Sequence, residues 1–242
     1  MKVIAINSSR KNGNTYKFLK QIEIILKEKN IEMEIIHLQD YTIKYCQGCE
    51  LCLYQNKCPI TDDATKIMDK LRNANGIILS SPVYMRNITG KLKTFIDRTC
   101  RWFHRPELIA KPALLLSTTA GSALKSNLNY LEKVAIDWGL HPSNKIGRTV
   151  NDLNKEVRLN EVSNFIDNLF EEKNEYKPSL QQIINFQVQR ILAQKLLKID
   201  YDYWKKRGWT DSIYFYDCKI GIIKKSIAIL FYNLLYKKIN TL

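Results

Sequence analysis

The chain has 242 residues, 45% of them hydrophobic, and a formal net charge of +14. This hydrophobic content supports one good core, or one domain with an appendage, and it excludes a disordered chain. The first residues lack a basic leader and a long apolar region, so no secretory signal is expected and the predicted location is cytoplasmic. In that reducing compartment, closely spaced cysteines bind metal or do redox work more often than they form structural disulfides.

Apolar runs alternate with amphipathic stretches from residue 2 to residue 172. The short apolar runs predict five strands, at 2–6, 32–38, 76–84, 112–121 and, more weakly, within 141–150. Helical spacing of apolar residues predicts helices at 14–29, 62–74, 89–103, 126–139 and 154–172. Strands that alternate with such helices predict an α/β fold with a parallel sheet covered on both faces. Five units fit a flavodoxin-like, doubly wound sheet of order 2-1-3-4-5.

The pattern changes near Glu175, where the alternation of strands and helices stops. Beyond it, helices are predicted at 179–198 and 220–239, on either side of an aromatic-rich stretch at 201–217. We therefore predict a flavodoxin-like domain over 1–174 that contains a cysteine-rich loop, 46–59, and a helical C-terminal extension over 175–242. The extension is expected to pack on the sheet domain or on a second subunit.

The extension is strongly basic, since twelve Lys or Arg stand against four Asp after Tyr176. Such a surface is predicted to be an ordinary solvated face, with an acidic redox partner, anionic lipid or nucleic acid as the alternatives. No nucleic-acid partner is expected. The apolar run within 220–239 is far shorter than the roughly 20 residues that span a bilayer. Contact of this helix with a membrane surface is a less favoured alternative to packing or dimerisation.

Ligands of doubly wound sheets bind beyond the C-terminal ends of the strands, near the point where the strand order reverses. This rule directs attention to three loops, at 7–15, 80–98 and 117–122. The first lacks the nucleotide and dinucleotide fingerprints, but its hydroxyls, amides and guanidinium at a helix start suit a monophosphate. An ordinary polar turn capped by Asn14 is the alternative. In the second, Tyr84 and Met85 suit the apolar wall of a planar aromatic ligand, or else belong to the core at a strand end.

In this order, the segments "SSRKNGNT", "SPVYMRNITGKLKTFIDR" and "TTAGS" resemble the NADPH-dependent FMN reductase family of flavodoxin-like proteins, over about residues 1 to 170. The cysteine run followed by "ITDD" resembles the iron-sulfur flavoprotein branch of that family. The resemblance implies an FMN cofactor near a subunit interface of a homodimer or homotetramer. NAD(P)H and ferredoxin are the alternative electron donors.

The resemblance also implies which residues contact FMN. The phosphate would be held by Ser8, Arg10, Asn12, Asn14 and Thr15. The segment along the isoalloxazine would be Pro82, Val83, Tyr84, Met85, Arg86 and Asn87. The loop that closes over the ring would be Thr118, Thr119, Ala120 and Gly121.

Four of the six cysteines form a C-x2-C-x2-C-x5-C run, at Cys46, Cys49, Cys52 and Cys58. This spacing is similar to the compact ferredoxin run, though with a longer final gap, and the resemblance implies that all four bind one [4Fe–4S] cluster. The alternatives are unligated thiols in a protein that works with FMN alone, and structural zinc, which prefers two separated C-x2-C pairs. Cys100 and Cys218 are predicted to be buried or incidental thiols.

A flavin itself carries hydride or electron chemistry, so no catalytic side chain is predicted. Of the three histidines, only His104, with its neighbour Arg105, is considered for substrate contact. The preferred hypothesis is a cytoplasmic FMN-dependent oxidoreductase in which a [4Fe–4S] cluster and FMN exchange electrons. The alternatives are a cluster-free NAD(P)H:acceptor reductase for flavins, quinones or nitro compounds, and a non-catalytic FMN redox carrier or sensor that docks partners through its basic tail.

Overall fold

The computed structural model describes residues 1–239, so the last three residues of the predicted extension, 240–242, lie outside the described residues. A five-stranded sheet occupies the centre, with all neighbouring strands parallel and in the order β2-β1-β3-β4-β5. Its strands are β1 (Lys2–Asn7), β2 (Glu32–His37), β3 (Gly76–Pro82), β4 (Pro112–Thr118) and β5 (His141–Arg148). The predicted flavodoxin-like fold class is confirmed.

Helices cover both faces of the sheet, because alternate strand residues point to opposite sides. On one face α1 (Asn14–Glu28) and α7 (Ser163–Phe170) pack against Val3, Ile78 and Leu114. On the other face lie α3 (Ala64–Asn73), α4 (Gly90–Arg98), α5 (Cys100–His104) and α6 (Leu124–Asp137). Strands β3 and β4 are buried almost throughout, as expected for the central strands of a two-sided parallel sheet.

The predicted helix at 89–103 is in fact two helices that meet at Thr99. The backbone of Thr99 leaves the helical region, with φ −96° and ψ 15°, and its hydroxyl donates to the carbonyl oxygen of Ile96 at 2.7 Å. The change of direction redirects α5, and Cys100 is its first residue. The predicted helix at 154–172 is also shorter, because only α7 is α-helical there.

The extension contains α8 (Leu180–Lys195), α9 (Lys198–Lys206) and α10 (Ile222–Lys238). These helices share an aromatic core in which the rings of Trp204 and Trp209 lie 5.3 Å apart. Two side chains dock the extension on α5: Trp204 Nε1 donates to His104 O, and Gln189 Nε2 to Phe103 O, both at 2.8 Å. The extension therefore packs on the sheet domain, while the division at residue 174 stays a prediction.

One side of α10 is apolar and faces solvent. Ile223, Ile227, Leu230 and Leu234 lie in one row along the helix and all are exposed. The opposite side packs on α8 through the buried Ala228. Within residues 1–239, no helix has both the length and the apolar character that crossing a membrane requires.

Candidate functional site

The three predicted ligand loops meet at one edge of the sheet. The register pairs Asn7 with Ser80 and Pro82 with Thr118, so the C-terminal ends of β1, β3 and β4 are adjacent. Thr15, in the first turn of α1, shares a 2.8 Å hydrogen bond between hydroxyls with Thr118 at the end of β4. The structure therefore brings the three predicted FMN-contact segments together, as the strand-end rule predicts.

The first loop, residues 8–13, has both buried and exposed groups. The Ser8 hydroxyl is buried and donates to Ser80 O at 3.0 Å, so its proton already has an acceptor. Arg10, Asn12 and Asn14 are exposed. Among the described residues, no side chain caps the start of α1, so its first N–H groups remain available to an anion.

The second loop is a tight turn at the end of β3. Tyr84 and Asn87 exchange two backbone hydrogen bonds, of 2.8 and 3.0 Å, across the turn. Both residues at its tip are left-handed, with φ 43° at Met85 and φ 68° at Arg86. Residues other than glycine are strained in this conformation, and such strain is found mostly at functional sites. Met85 is 96% exposed and Tyr84 52%, so neither belongs to the core.

The third loop follows β4. Its own hydrogen bonds fix its shape, since Thr119 Oγ1 donates to Ser122 O at 3.0 Å and accepts from the N–H of Gly121 at 3.1 Å. Ala120 and Gly121 are exposed at its tip. The loop thus presents small residues whose backbone can approach a ligand closely.

The predicted metal ligands line one cavity of about 250 Å³, which we call the thiol cavity. Its cysteines are Cys46, Cys49, Cys52, Cys58 and Cys100. Arg98 and His104 also line this cavity. Within residues 1–239, no three or more His, Cys, Asp or Glu side chains converge closely enough to hold a metal ion. The four cysteines of the run therefore share a cavity without forming a finished ligand set.

Arg98, the last residue of α4, holds together the two ends of residues 44–60, which we call the cysteine segment. Its guanidinium donates to Lys44 O and to Ile60 O, both at 3.2 Å, and forms an ion pair with Asp62. Both charged side chains are almost completely buried. The same guanidinium donates to Cys58 Sγ at 3.4 Å. One fixed fork of donors thus anchors the cysteine segment and contacts one of its sulfurs.

Cys100 lies in the thiol cavity rather than in the core. It is exposed, and its sulfur is 3.6 Å from that of Cys52. Partial burial within the thiol cavity, together with the neighbouring thiols of Cys52 and Cys46, raises the pKa of Cys100 to about 12. Cys100 is therefore not buried in the core, which corrects that part of the prediction. The break at Thr99, which no spacing pattern reveals, turns this cysteine toward the cavity.

The Arg105 side chain is buried and is not free for the substrate contact that the sequence suggested. Its side chain is 4% exposed and contacts the buried carboxylate of Asp200. His104 does line the thiol cavity, and its Nδ1 lies 3.3 Å from Asp200 Oδ2. Arg105 is therefore a structural residue, and His104 stands between the cavity and the extension.

Comparison with known proteins identifies the family. The profile of the NADPH-dependent FMN reductase family matches residues 1–145. The chain belongs to this family. As a member of the FMN reductase family, it is an FMN-dependent oxidoreductase, as the sequence predicted.

Relatives within this family include iron-sulfur flavoproteins. One from Archaeoglobus fulgidus is 32% identical over 226 residues, which cover 86% of this chain and 100% of that protein. One from Methanocaldococcus jannaschii is 42% identical over 100 residues, or 41% of this chain and 52% of that protein. The similarity to the iron-sulfur flavoprotein branch is thereby confirmed.

Two solved structures share the fold at low sequence identity. An NADH:FMN oxidoreductase in its apo form is 23% identical with a TM-score of 0.51, over 69% of this chain and 86% of that chain. RosB with a bound 8-demethyl-8-formylriboflavin-5′-phosphate intermediate is 10% identical with a TM-score of 0.56, over 92% of each chain.

In this member of the FMN reductase family, α4 connects the two candidate sites. Its first residue, Gly90, follows the turn of the second loop, and its last, Arg98, contacts the cysteine segment. Its nine helical residues span about 14 Å, at about 1.5 Å per residue. The roles of Arg98 and Asp62 were not predicted from the sequence, although both residues lie in segments, "FIDR" and "ITDD", that carry the family resemblance.

Proposed function

We propose that this FMN reductase family member binds a [4Fe–4S] cluster through Cys46, Cys49, Cys52 and Cys58 and exchanges electrons between the cluster and FMN. The observation that carries the proposal is that all four cysteines line one cavity at the end of α4. The other end of the same helix follows a candidate flavin loop. The similarity to an iron-sulfur flavoprotein over its whole length adds support.

The residues of the cavity fit such a cluster. Four soft thiolate donors in a short segment suit iron-sulfur ligation, and a cationic N–H donor at Cys58 Sγ is the kind of contact that tunes a bound cluster. When bound, the cluster would supply single-electron transfer. The protein's part is to hold Cys58 in place through Arg98 and to close the segment between Lys44 and Ile60.

For FMN we propose the contacts that the family resemblance implies. Arg10, Asn12 and Asn14 would offer side chains to the phosphate, whereas Ser8 and Thr15 would contribute backbone N–H groups, because their hydroxyls pair within the protein. Residues 82–87 would lie along the isoalloxazine, and 118–121 would cover the ring. Bound FMN would supply the hydride or electron chemistry.

Anaerobic purification with iron, sulfide, zinc and FMN quantified tests the proposal. We expect about four irons per chain together with FMN. The matched variants are Cys49→Ser, which should lose iron, and Cys218→Ser, which should keep it because Cys218 lies in the extension. FMN without metal would instead support the cluster-free NAD(P)H:acceptor reductase, and zinc would support a structural metal site.

The electron donor needs a separate measurement. Steady-state NAD(P)H oxidation by the purified protein supports a nicotinamide donor. Its absence, together with fast reduction by ferredoxin, supports a protein donor. No reduction by either donor would favour the redox carrier or sensor that docks partners through its basic tail.

We also propose a cytoplasmic homo-oligomer. The residues of the exposed row on α10, Ile223, Ile227, Leu230 and Leu234, are spaced alternately by four and three residues. This spacing is typical of helices from two chains that pack together along an apolar seam. Because α10 carries four Lys and no acidic residue, like charges would meet across such a pair. Light scattering should therefore show tighter association as salt rises. The less favoured contact with an anionic membrane surface would weaken with salt.

A further inference from the structure

Two cysteines of the thiol cavity are already in contact. The sulfurs of Cys52 and Cys100 lie 3.6 Å apart, whereas a disulfide requires about 2.0 Å, so a small local shift would join them. Cys52 belongs to the four-residue helix α2 (Leu51–Tyr54), in a largely exposed segment. Short exposed segments adjust at low cost. Cys100 is exposed and Cys52 is half-buried, so a small oxidant can reach the pair from the side of Cys100.

We propose that Cys52 and Cys100 form a reversible disulfide when the cavity holds no cluster. The oxidant is a low-molecular-weight disulfide such as oxidised glutathione. One thiolate of the pair attacks it, forms a mixed disulfide and releases one molecule of reduced glutathione. The other thiolate attacks the protein sulfur of that mixed disulfide and releases the second. The two cysteines lose two electrons and two protons, and the oxidant gains them.

The disulfide would give a role to Cys100, which is not one of the four proposed cluster ligands. Cys100 lies outside the C-x2-C-x2-C-x5-C spacing, so four ligands leave it as a spare thiol beside Cys52. A sulfur bound in a disulfide cannot ligate iron as a thiolate. On the proposed function, oxidation of this pair therefore removes Cys52 from the ligand set and blocks cluster loading until a thiol reductant restores it.

Peptide mapping tests the bond without any need for a cluster. Metal-free full-length protein is treated with oxidised glutathione, its free thiols are alkylated, and the non-reduced digest is sequenced by fragmentation mass spectrometry. We expect a Cys52–Cys100 link and two fewer free thiols per chain. Cys46→Ser and Cys218→Ser should keep the link, whereas Cys100→Ser and Cys100→Ala should lose it.

Other outcomes would overturn the proposal. One is a disulfide between Cys100 and Cys46, since Cys46 also neighbours Cys100. The others are disulfides formed only among the four cysteines of the run, and glutathione adducts without any disulfide inside the protein. Thermal unfolding of each variant checks that it folds, and Cys100→Ala gives a second test if the serine variant does not.

A reconstitution experiment tests the consequence for cluster loading. After oxidation, the wild-type chain should take up no iron and sulfide until dithiothreitol is added, whereas oxidised Cys100→Ser should load like the reduced protein. Equal loading of oxidised and reduced wild-type chain would refute the block. If even reduced protein takes up no iron, the proposed function fails, but the mapped disulfide still stands.

Discussion

Arg105 donates from Nε to Asp200 Oδ1 at 2.6 Å, across 95 residues of sequence, and both side chains are buried. The same guanidinium donates from Nη2 to Leu53 O at 3.0 Å and to Ile199 O at 3.2 Å. A single side chain therefore joins the cysteine segment to the extension.

Replacing Asp200 with Asn should destabilise the protein strongly. The substitution leaves a buried guanidinium without its carboxylate, which typically costs about 3–5 kcal/mol. Urea denaturation measures the loss. The matched control is Glu132→Gln, which removes a half-exposed ion pair with Lys145 and should cost about 0–1 kcal/mol. Similar small losses for both variants would show that the Arg105 pair is not a structural link.

Arg98→Lys should loosen the cysteine segment while keeping the positive charge. An ammonium group cannot reproduce the guanidinium fork, so hydrogen bonds to Lys44 O, Ile60 O or Cys58 Sγ are lost. We expect a loss of about 2 kcal/mol in the free energy of unfolding. Bound iron should fall while FMN content is retained.

The control for this substitution is Arg72→Lys, because Arg72 pairs with Glu107 and Asp69 outside the thiol cavity. Its iron content should equal that of the wild type. Unchanged iron in Arg98→Lys would separate Arg98 from cluster binding.

Arg86→Gly should change stability and FMN affinity in opposite directions. Glycine adopts the φ of 68° without the side-chain strain, which is worth about 1 kcal/mol, so the thermal midpoint should rise. Loss of the guanidinium should weaken FMN binding, measured by quenching of flavin fluorescence. Asn30→Gly, at another left-handed position beyond the end of α1, should leave FMN affinity unchanged. Unchanged affinity in Arg86→Gly would remove Arg86 from the flavin site.

Asp137, at the end of α6, should make stability depend on pH. Burial raises the pKa of its carboxyl from 3.8 to about 6, against the opposing effects of Asn185 and Lys133. A raised pKa means that its contribution to stability is complete below about pH 4 and is lost as pH rises through 6. Relative to the wild type, Asp137→Asn should gain on the order of 2 kcal/mol between pH 4 and pH 7. A constant difference across that range, in urea denaturation at each pH, would contradict the assignment.

The sheet could be predicted because each strand is recognisable from residues that are adjacent in the sequence. The short apolar runs that became β3 and β4 are bounded by turn signals, and their alternation with amphipathic segments favours buried parallel strands. The strand order then directs the three candidate flavin loops to one edge. The individual FMN contacts stay predictions, since they depend on a bound ligand.

The thiol cavity could be predicted only in part, because its decisive contacts are distant in sequence. The apolar spacing of 89–103 continues across Thr99, so the pattern hides the break that turns Cys100 toward Cys52. The ion pairs of Arg98 with Asp62 and of Arg105 with Asp200 join residues 36 and 95 positions apart. Neither pairing leaves a signal in local periodicity.

The docking of Trp204 on the carbonyl of His104 has a consequence for biosynthesis. A five-residue helix such as α5 is too short to be stable alone, so it depends on tertiary partners, which include Trp138 of the sheet domain and the late Trp204. Domains fold in order as the chain leaves the ribosome, and the cysteine run emerges roughly 150 residues before Trp204. During translation the four thiols of the cysteine run are therefore exposed before their cavity is complete. A factor that delivered a cofactor to the nascent chain would contact a different surface from the one that the complete chain presents.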